Sequence, residues 1–375
     1  MNPGAPRGWR GLETVDVVNA ERRPIVDLGR LPQPAVLGDV WIHGATVRDT
    51  FRLMWRALDL DGEVLLFDRD TGTNVLIDNA RTRGLVRAAP RMLQVALTNA
   101  CDKSCSFCYR PMEAKNRWSF DDLLELARVC DHWGVLEIAF GGGEPTLFPR
   151  FPELLHAIWN ETGMCPSFTT HGKRLTPELL GALRGAYGQL QVSVYDEDDT
   201  AGIVELLVAE RARFGLNYLV TPTRVRSIEA DVMSWVARGV RDILFLSYKG
   251  TDPTLHLSER ETRMFDRSLA KLHELLPRIA LKVDVCWAGR LVEAPQLLNT
   301  PDCGANIDFL SLTSDKRVLA CSFANQGIAF DSPSELPEIW RGLQNQRLAA
   351  PSPGCARLPA FGLTRKSLPL ARSVR

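Results

Sequence analysis

Met92-Leu93-Gln94-Val95-Ala96-Leu97-Thr98-Asn99-Ala100-Cys101-Asp102-Lys103-Ser104-Cys105-Ser106-Phe107-Cys108 is the stretch that decides the fold. A strand-like apolar run, Met92 to Leu97, opens into a loop that carries three cysteines within eight residues. In βα architectures the reactive groups sit on loops leaving the C-terminal ends of strands, which is where these thiols stand. Closely spaced thiolates select zinc or an iron-sulfur cluster. Structural zinc wants four closed ligands, usually as two Cys-x2-Cys pairs, and neither a second pair nor a nearby histidine is present. A cubane held by three cysteines instead leaves one iron open.

Outward from that loop, buried-strand runs recur at Leu136 to Phe140, Ser167 to Thr170, Leu190 to Val194, Tyr218 to Thr221 and Ile243 to Ser247. Helical segments lie between them, with N-termini at Ser119 (Asp122 three residues on), Thr176 (followed by Pro177) and Ser258 (with Glu261). Six strands alternating with helices predict a partial (β/α)6 TIM-like barrel over residues 91–280, since a full barrel needs eight units. Residues 1–90 read as an α+β extension. It has strands at Val15 to Val18 and Val40 to Ile42, a helix capped by Thr46 with Val47, Phe51, Met54, Trp55 and Leu58 on its apolar face, and a hairpin turning at Arg69 to Gly72. Residues 281–360 form a small C-terminal unit with a hairpin, Ile307 to Leu312 and Arg317 to Ala320, then a helix near Glu335 to Leu343. Residues 361–375 are a basic tail.

At 375 residues, 45% apolar and 24% charged, the composition is that of a globular protein. Formal net charge is zero, so nothing global argues for nucleic acid or an anionic membrane. No run approaches the roughly 18 to 20 apolar residues that cross a bilayer, and no secretory apolar segment opens the chain. The expected address is therefore cytoplasmic, where nine cysteines read as thiols or metal ligands before disulfides. Cys130, on an apolar helix face, and Cys165, before Pro166, read as packing residues.

Cys101-x3-Cys105-x2-Cys108, with the aromatic Phe107 before the last thiol, resembles the signature of the radical S-adenosylmethionine (radical SAM) superfamily. The resemblance implies a 4Fe-4S cluster whose open iron chelates S-adenosylmethionine, with Phe107 beside the adenine. Gly141-Gly142-Gly143-Glu144-Pro145-Thr146, directly after the second strand, resembles the family's GGE motif. It implies that Gly142, Gly143 and Glu144 meet the methionine amino group. From the residues alone, consecutive glycines let a ligand approach the backbone. Thr169-Thr170-His171-Gly172 resembles a Thr-Asn-Gly strand end with His171 in place of asparagine, and Gln191 to Asp196 resembles a Ser-Leu-Asp end whose serine is Ser193. Thr170 and Ser193 are thereby cofactor-site candidates, with Thr221 a further one. Tyr195, Asp196, Tyr248 and Lys249 face the expected substrate space without an assigned role, so the catalytic acid, base or hydrogen donor stays unassigned.

Cys303, Cys321 and Cys355 resemble the first half of a SPASM domain, or the shorter twitch domain, with Lys316 where a glycine is usual. One auxiliary iron-sulfur cluster is implied, ligated by these three with either Cys286 or an open iron position as the fourth site. The resemblance also implies a flavodoxin- or ferredoxin-type electron donor. The expected activity is reductive cleavage of S-adenosylmethionine to a 5′-deoxyadenosyl radical that abstracts hydrogen from a substrate. A ribosomally made peptide is the leading substrate, gripped through residues 1–90. The alternatives are radical oxidation or rearrangement of a small sugar or antibiotic intermediate, and a non-catalytic iron-sulfur protein that binds S-adenosylmethionine.

Overall fold

The computed structural model describes residues 16–18, 34–37, 40–43, 55–105, 107–108, 110, 114–196, 199–250, 252–287, 289–295, 303–324 and 327–349. Its centre is one ten-stranded sheet. Seven parallel strands follow one another in order: β7 (Met92–Thr98), β8 (Glu137–Gly142), β9 (Cys165–Thr170), β10 (Gln189–Ser193), β11 (Phe214–Val220), β12 (Asp242–Ser247) and β13 (Ala280–Val283). Helices α1 (Phe120–Trp133), α2 (Phe151–Glu161), α3 (Pro177–Leu183), α4 (Thr200–Ala209), α5 (Ile228–Ala237) and α6 (Glu259–Leu275) connect them, giving six βα units. Outward-facing strand residues such as Leu93, Val95, Ile138, Phe140, Val192, Leu216 and Phe245 are buried, and the helix faces bearing Leu123, Leu154, Val204 and Phe265 join the same core. The expected caps are in place. Ser119 with Asp122 and Ser258 with Glu261 form capping boxes, and Thr176 accepts from the Leu179 N–H.

Two parallel strands join this sheet beyond the six expected. β13 adds at one edge. At the other, β14 (Phe309–Leu312) pairs in parallel with β7, while its hairpin partner β15 (Arg317–Leu319) and then β16 (Ile328–Ala329) continue antiparallel. The hairpin foreseen near residues 307–320 is thus present, but its first strand is built into the wall of the core. The sheet stays open, since β13 and β14 are not paired with each other. Helix α7 (Leu336–Ala349) ends the described chain, with Trp340 edge-on to Trp133 of α1.

In the N-terminal region, β1 (Asp16–Val18), β4 (Trp55–Asp59), β5 (Val64–Asp68) and β6 (Thr73–Ile77) form an antiparallel sheet in the order β1-β6-β5-β4, and β2 (Pro34–Leu37) pairs with β3 (Val40–His43). The helix expected through residue 58 is corrected here, because Trp55 and Leu58 lie in β4, hydrogen-bonded to the wholly buried β5. Cross-strand pairing outweighs the local helical periodicity. The rest of that expected helix, with Thr46, Val47, Phe51 and Met54, lies outside the described residues. The sheet docks beneath the barrel, at the N-terminal ends of its strands. Arg56 donates to the carbonyls of Val135 and Asp131, and Arg91 bridges Asn74 and Glu137. Arg69 donates to Trp159, Thr162 and Met164. No helix among the described residues is long and apolar enough to cross a membrane.

Candidate active site

Strand β7 delivers the cysteine loop to the C-terminal end of the sheet. Cys101 and Cys105 are half-buried and Cys108 is exposed. Internal bonds shape the loop: Cys108 N–H donates to the Cys105 carbonyl (3.1 Å), Asn99 Nδ2 to the Ala114 carbonyl (3.0 Å), and Arg110 to the Asn99 carbonyl. The glycines after β8 hold it from the other side. Gly143 N–H donates to the Thr98 carbonyl (2.6 Å) and Glu144 N–H to the Ala100 carbonyl (2.8 Å). A Cβ on Gly143 would overlap the Ala100 carbonyl. One on Gly142, which has φ +100°, would lie 2.6 Å from the Thr98 oxygen. The glycine requirement therefore comes from the chain's own cysteine loop, a partner that the sequence alone had left as an unspecified ligand.

Glu144 is 1% exposed, and both of its carboxylate oxygens accept hydrogen bonds. Oε1 accepts from Thr146 Oγ1 (2.7 Å), Thr146 N–H (3.2 Å) and Thr170 Oγ1 (2.8 Å), and Oε2 accepts from His171 N–H (3.0 Å). His171 is buried with it. Its Nδ1 accepts from the Lys173 N–H (3.1 Å), so the ring proton sits on Nε2, facing Asp102 Oδ1 at 2.6 Å. Burial works against ionisation of Asp102, but the His171 hydrogen bond, its own backbone N–H and Arg174 outweigh it and hold the carboxyl below its ordinary range. Among the described residues, Cys101, Asp102 and His171 alone bring three potential ligand atoms within 4.8 Å of one another.

Phe107 stacks on Tyr195, centroids 5.7 Å apart and planes 16° from parallel, and Lys103 Nζ lies 3.9 Å above the Tyr195 ring. Burial, then the neighbouring Cys105, pushes the Tyr195 phenol far up, and Ser193 shares its hydroxyl. Burial likewise raises the Cys105 thiol, against the hydrogen bond from Tyr195. Phe107, Gly142, Gly143, Glu144, Thr170 and Ser193 thus converge on the cysteine loop. Thr221 serves instead as the cap of the turn after β11, accepting from Arg224 N–H at 3.3 Å. Sequence reading did not single out Asp102 or Lys103. Their only signal was membership of the cysteine loop, because their partners lie just after β9 and after β10.

Cys130 and Cys165 are buried as expected, the latter's thiol pushed up to about 12, chiefly by burial. Cys286 sits in a short turn, its N–H donating to Asp284 Oδ1 (3.0 Å), and Asp284 also holds Lys249. Lys249 lies 4.8 Å from the Phe323 ring, so the Cys286 turn neighbours the segment after Cys321. Cys303 and Cys321 are half-buried, and Cys355 lies outside the described residues. Lys316 occupies the left-handed region (φ +61°), a conformation that favours glycine. Its ammonium is anchored 3.0 Å from Asp122 Oδ1 and 5.2 Å from the Trp118 ring.

Residues 95–213, from mid-β7 to the residue before β11, match the family model described as the radical SAM superfamily. The chain carries a radical SAM domain. Radical SAM enzymes use a 4Fe-4S cluster with S-adenosylmethionine. It is 23% identical over 262 residues to a probable GTP 3′,8-cyclase of Methanocella arvoryzae, covering 63% of this chain and 82% of that one. It is 31% identical over 126 residues to a PqqA peptide cyclase of Streptomyces rochei, covering 30% of this chain and 32% of the relative. In fold it is similar to Streptococcus suis SuiB bound to its precursor peptide SuiA, with TM-score 0.57, 16% identity, and 68% of this chain and 65% of that one covered.

Proposed function

We propose that this radical SAM enzyme modifies a ribosomally made peptide. The observation that carries the reading is the open sheet: β13 is one edge, and on the other side β14 continues into β15 and β16 instead of pairing with β13, so the barrel wall does not close. A parted wall admits a segment of a longer chain, whereas a closed barrel admits only what fits through its mouth. The names of the PqqA peptide cyclase and of the SuiB complex with its precursor peptide favour the same class. The second reading is a small-molecule radical enzyme, favoured by the alignment that spans 82% of a probable GTP 3′,8-cyclase.

Cys101, Cys105 and Cys108 would hold the 4Fe-4S cluster, and the donor set fits it: three thiols on one loop, partly open to solvent. When bound, the cluster and S-adenosylmethionine supply a 5′-deoxyadenosyl radical able to take hydrogen from the substrate. Glu144, fixed by Thr146, Thr170 and His171, offers an immobile carboxylate for the cofactor's ammonium. Ser193 and Phe107 would line its ribose and adenine. Tyr195, kept protonated by burial, donates towards Cys105. An auxiliary cluster on Cys303, Cys321, Cys355 and Cys286, and an electron donor of flavodoxin or ferredoxin type, complete the proposal.

Anaerobically reconstituted protein with reductant and S-adenosylmethionine should release 5′-deoxyadenosine, and a peptide encoded beside the gene should change mass on turnover. Release of 5′-deoxyadenosine accompanied by deuterium transfer from a small alcohol, with every such peptide unchanged, would decide for the second reading. Iron remaining in a Cys101/Cys105/Cys108 triple alanine variant would report the auxiliary cluster, and none remaining would eliminate it.

A further inference from the structure

The inner face of the barrel is lined differently from its outer face. Along β7, residues Leu93, Val95 and Leu97 are buried against helices, while Gln94 between them faces inward and accepts from Ser311 of β14 at 2.9 Å. Across the lumen, Asn217 of β11 reaches past β10 to Thr169 of β9, its Nδ2 3.5 Å from Oγ1. Gln191 of β10 reaches past β11 to Asp242 of β12 at 3.4 Å, its carbonyl lying over Gly215, where a Cβ would be 2.8 Å away. A closed barrel fills this space with branched apolar side chains. Here it holds a belt of carboxamides and hydroxyls.

Two of these carboxamides are unfinished. Asn217 Oδ1 and Gln191 Oε1 are buried, and neither has a hydrogen-bond partner among the described residues. Asn217 as a whole is only 7% exposed. A buried polar atom without a partner costs free energy until a ligand or water completes it. The bordering cations, in contrast, are already matched: Lys282 pairs with Asp242 at 2.7 Å and Lys249 with Asp284. An entering phosphate chain would lose its hydration, and the lysines described on this wall, Lys282 and Lys249, are already paired.

We propose that Gln191 and Asn217 form an amide-recognition subsite, which pairs with an uncharged carboxamide or peptide bond of the substrate and disfavours polyphosphates. The best complement of a carboxamide is another amide, because each presents a donor beside an acceptor. The inference deepens the peptide reading and rests on it for the position of the reacting segment.

The test uses full-length protein loaded with iron, sulfide and S-adenosylmethionine, titrated anaerobically with N-acetyl-alanine N-methylamide or with magnesium GTP, and followed by ligand-observed NMR. The blocked amide should bind more tightly than GTP. Gln191→Met and Asn217→Leu should each weaken it by about fivefold or more, the worth of one buried hydrogen bond. Asn217→Ser, smaller and uncharged, should weaken it too, and thermal melts of all three variants separate recognition from folding. Amide binding that is indifferent to all three variants, or GTP binding more tightly than the amide, overturns the subsite. If binding responds to the variants as expected but no peptide is ever turned over, the subsite stands and the peptide reading falls. If a peptide is turned over while the variants leave amide binding unchanged, the subsite alone falls.

Discussion

Gly143 and Lys316 show how much one position can depend on neighbours remote in sequence. Gly143 has no room for a methyl group because the Ala100 carbonyl presses on it. Gly143→Ala should therefore displace the cysteine loop, and the reconstituted variant should lose most of its iron and its absorbance near the visible range while keeping its far-ultraviolet circular dichroism. Retention of full iron would detach the glycine from the loop's placement. Lys316 is the converse case, a side chain accepted where glycine is conformationally better. Lys316→Ala keeps the left-handed backbone and loses both anchors, so it should lower stability by about 1 kcal/mol in chemical denaturation. Lys316→Gly should recover part of that loss. The departure from the glycine pattern at this position was legible in the sequence, but the compensation by Asp122 and Trp118 was not, since those residues lie some two hundred positions earlier.

Among elements, helix α1 begins at a capping box whose Asp122 carboxyl is held below its ordinary range. Burial opposes this, but the Ser119 backbone and hydroxyl and the Lys316 ammonium outweigh it. Because the folded value is depressed, the contribution to stability is complete above the unfolded value of about 4 and is lost as pH falls through the lower, folded value. Asp122→Asn should accordingly melt below wild type at pH 7, and the gap should close in strongly acidic solution. A gap that persisted unchanged below pH 3 would assign the loss to something other than this charge. Caps at Ser119, Thr176 and Ser258 were legible because each is a short-range pattern within four residues. Strand β4 was not, since its neighbour β5 decides its conformation. The parallel pairing of β13 with β12 and of β14 with β7 was hidden for the same reason: a strand's partner is a property of topology, and both segments look locally like the ends of a meander. The clasp between His171 and Asp102 spans 69 residues and left no local mark beyond an unusual strand end.

Across the whole molecule, the two ends of the barrel do different work. The cysteine loop and its ring of buried polar groups occupy the C-terminal ends of the strands, while the N-terminal sheet is fastened beneath the opposite ends. Arg69 is the chief fastener there, giving Nη1 to the carbonyls of Trp159 (2.9 Å) and Thr162 (2.7 Å) with its guanidinium 4.4 Å from the Trp159 ring. Arg69→Met should cost about 2 kcal/mol in urea unfolding, since it leaves carbonyls at the end of α2 without a charged donor. Iron uptake at the cysteines should be unaffected, and an equal loss of iron would show the two ends to be coupled. The barrel class and its converging site were readable from strand-end motifs; the placement of the extension was not, because it depends on arginines whose partners are backbone carbonyls, which carry no residue-specific signal.

The pairing of β14 with β7 also bears on how the protein is made. The thiol-bearing strand is an inner strand, and the Ser311 hydroxyl that meets Gln94 is 217 residues further along the chain. A ribosome must therefore release nearly the entire polypeptide before that strand gains its second neighbour, and early assembly is disfavoured by the long closure involved. Nascent chains arrested ahead of residue 309 should acquire iron poorly compared with those arrested after the hairpin has emerged, which would make metallation a late event in biosynthesis.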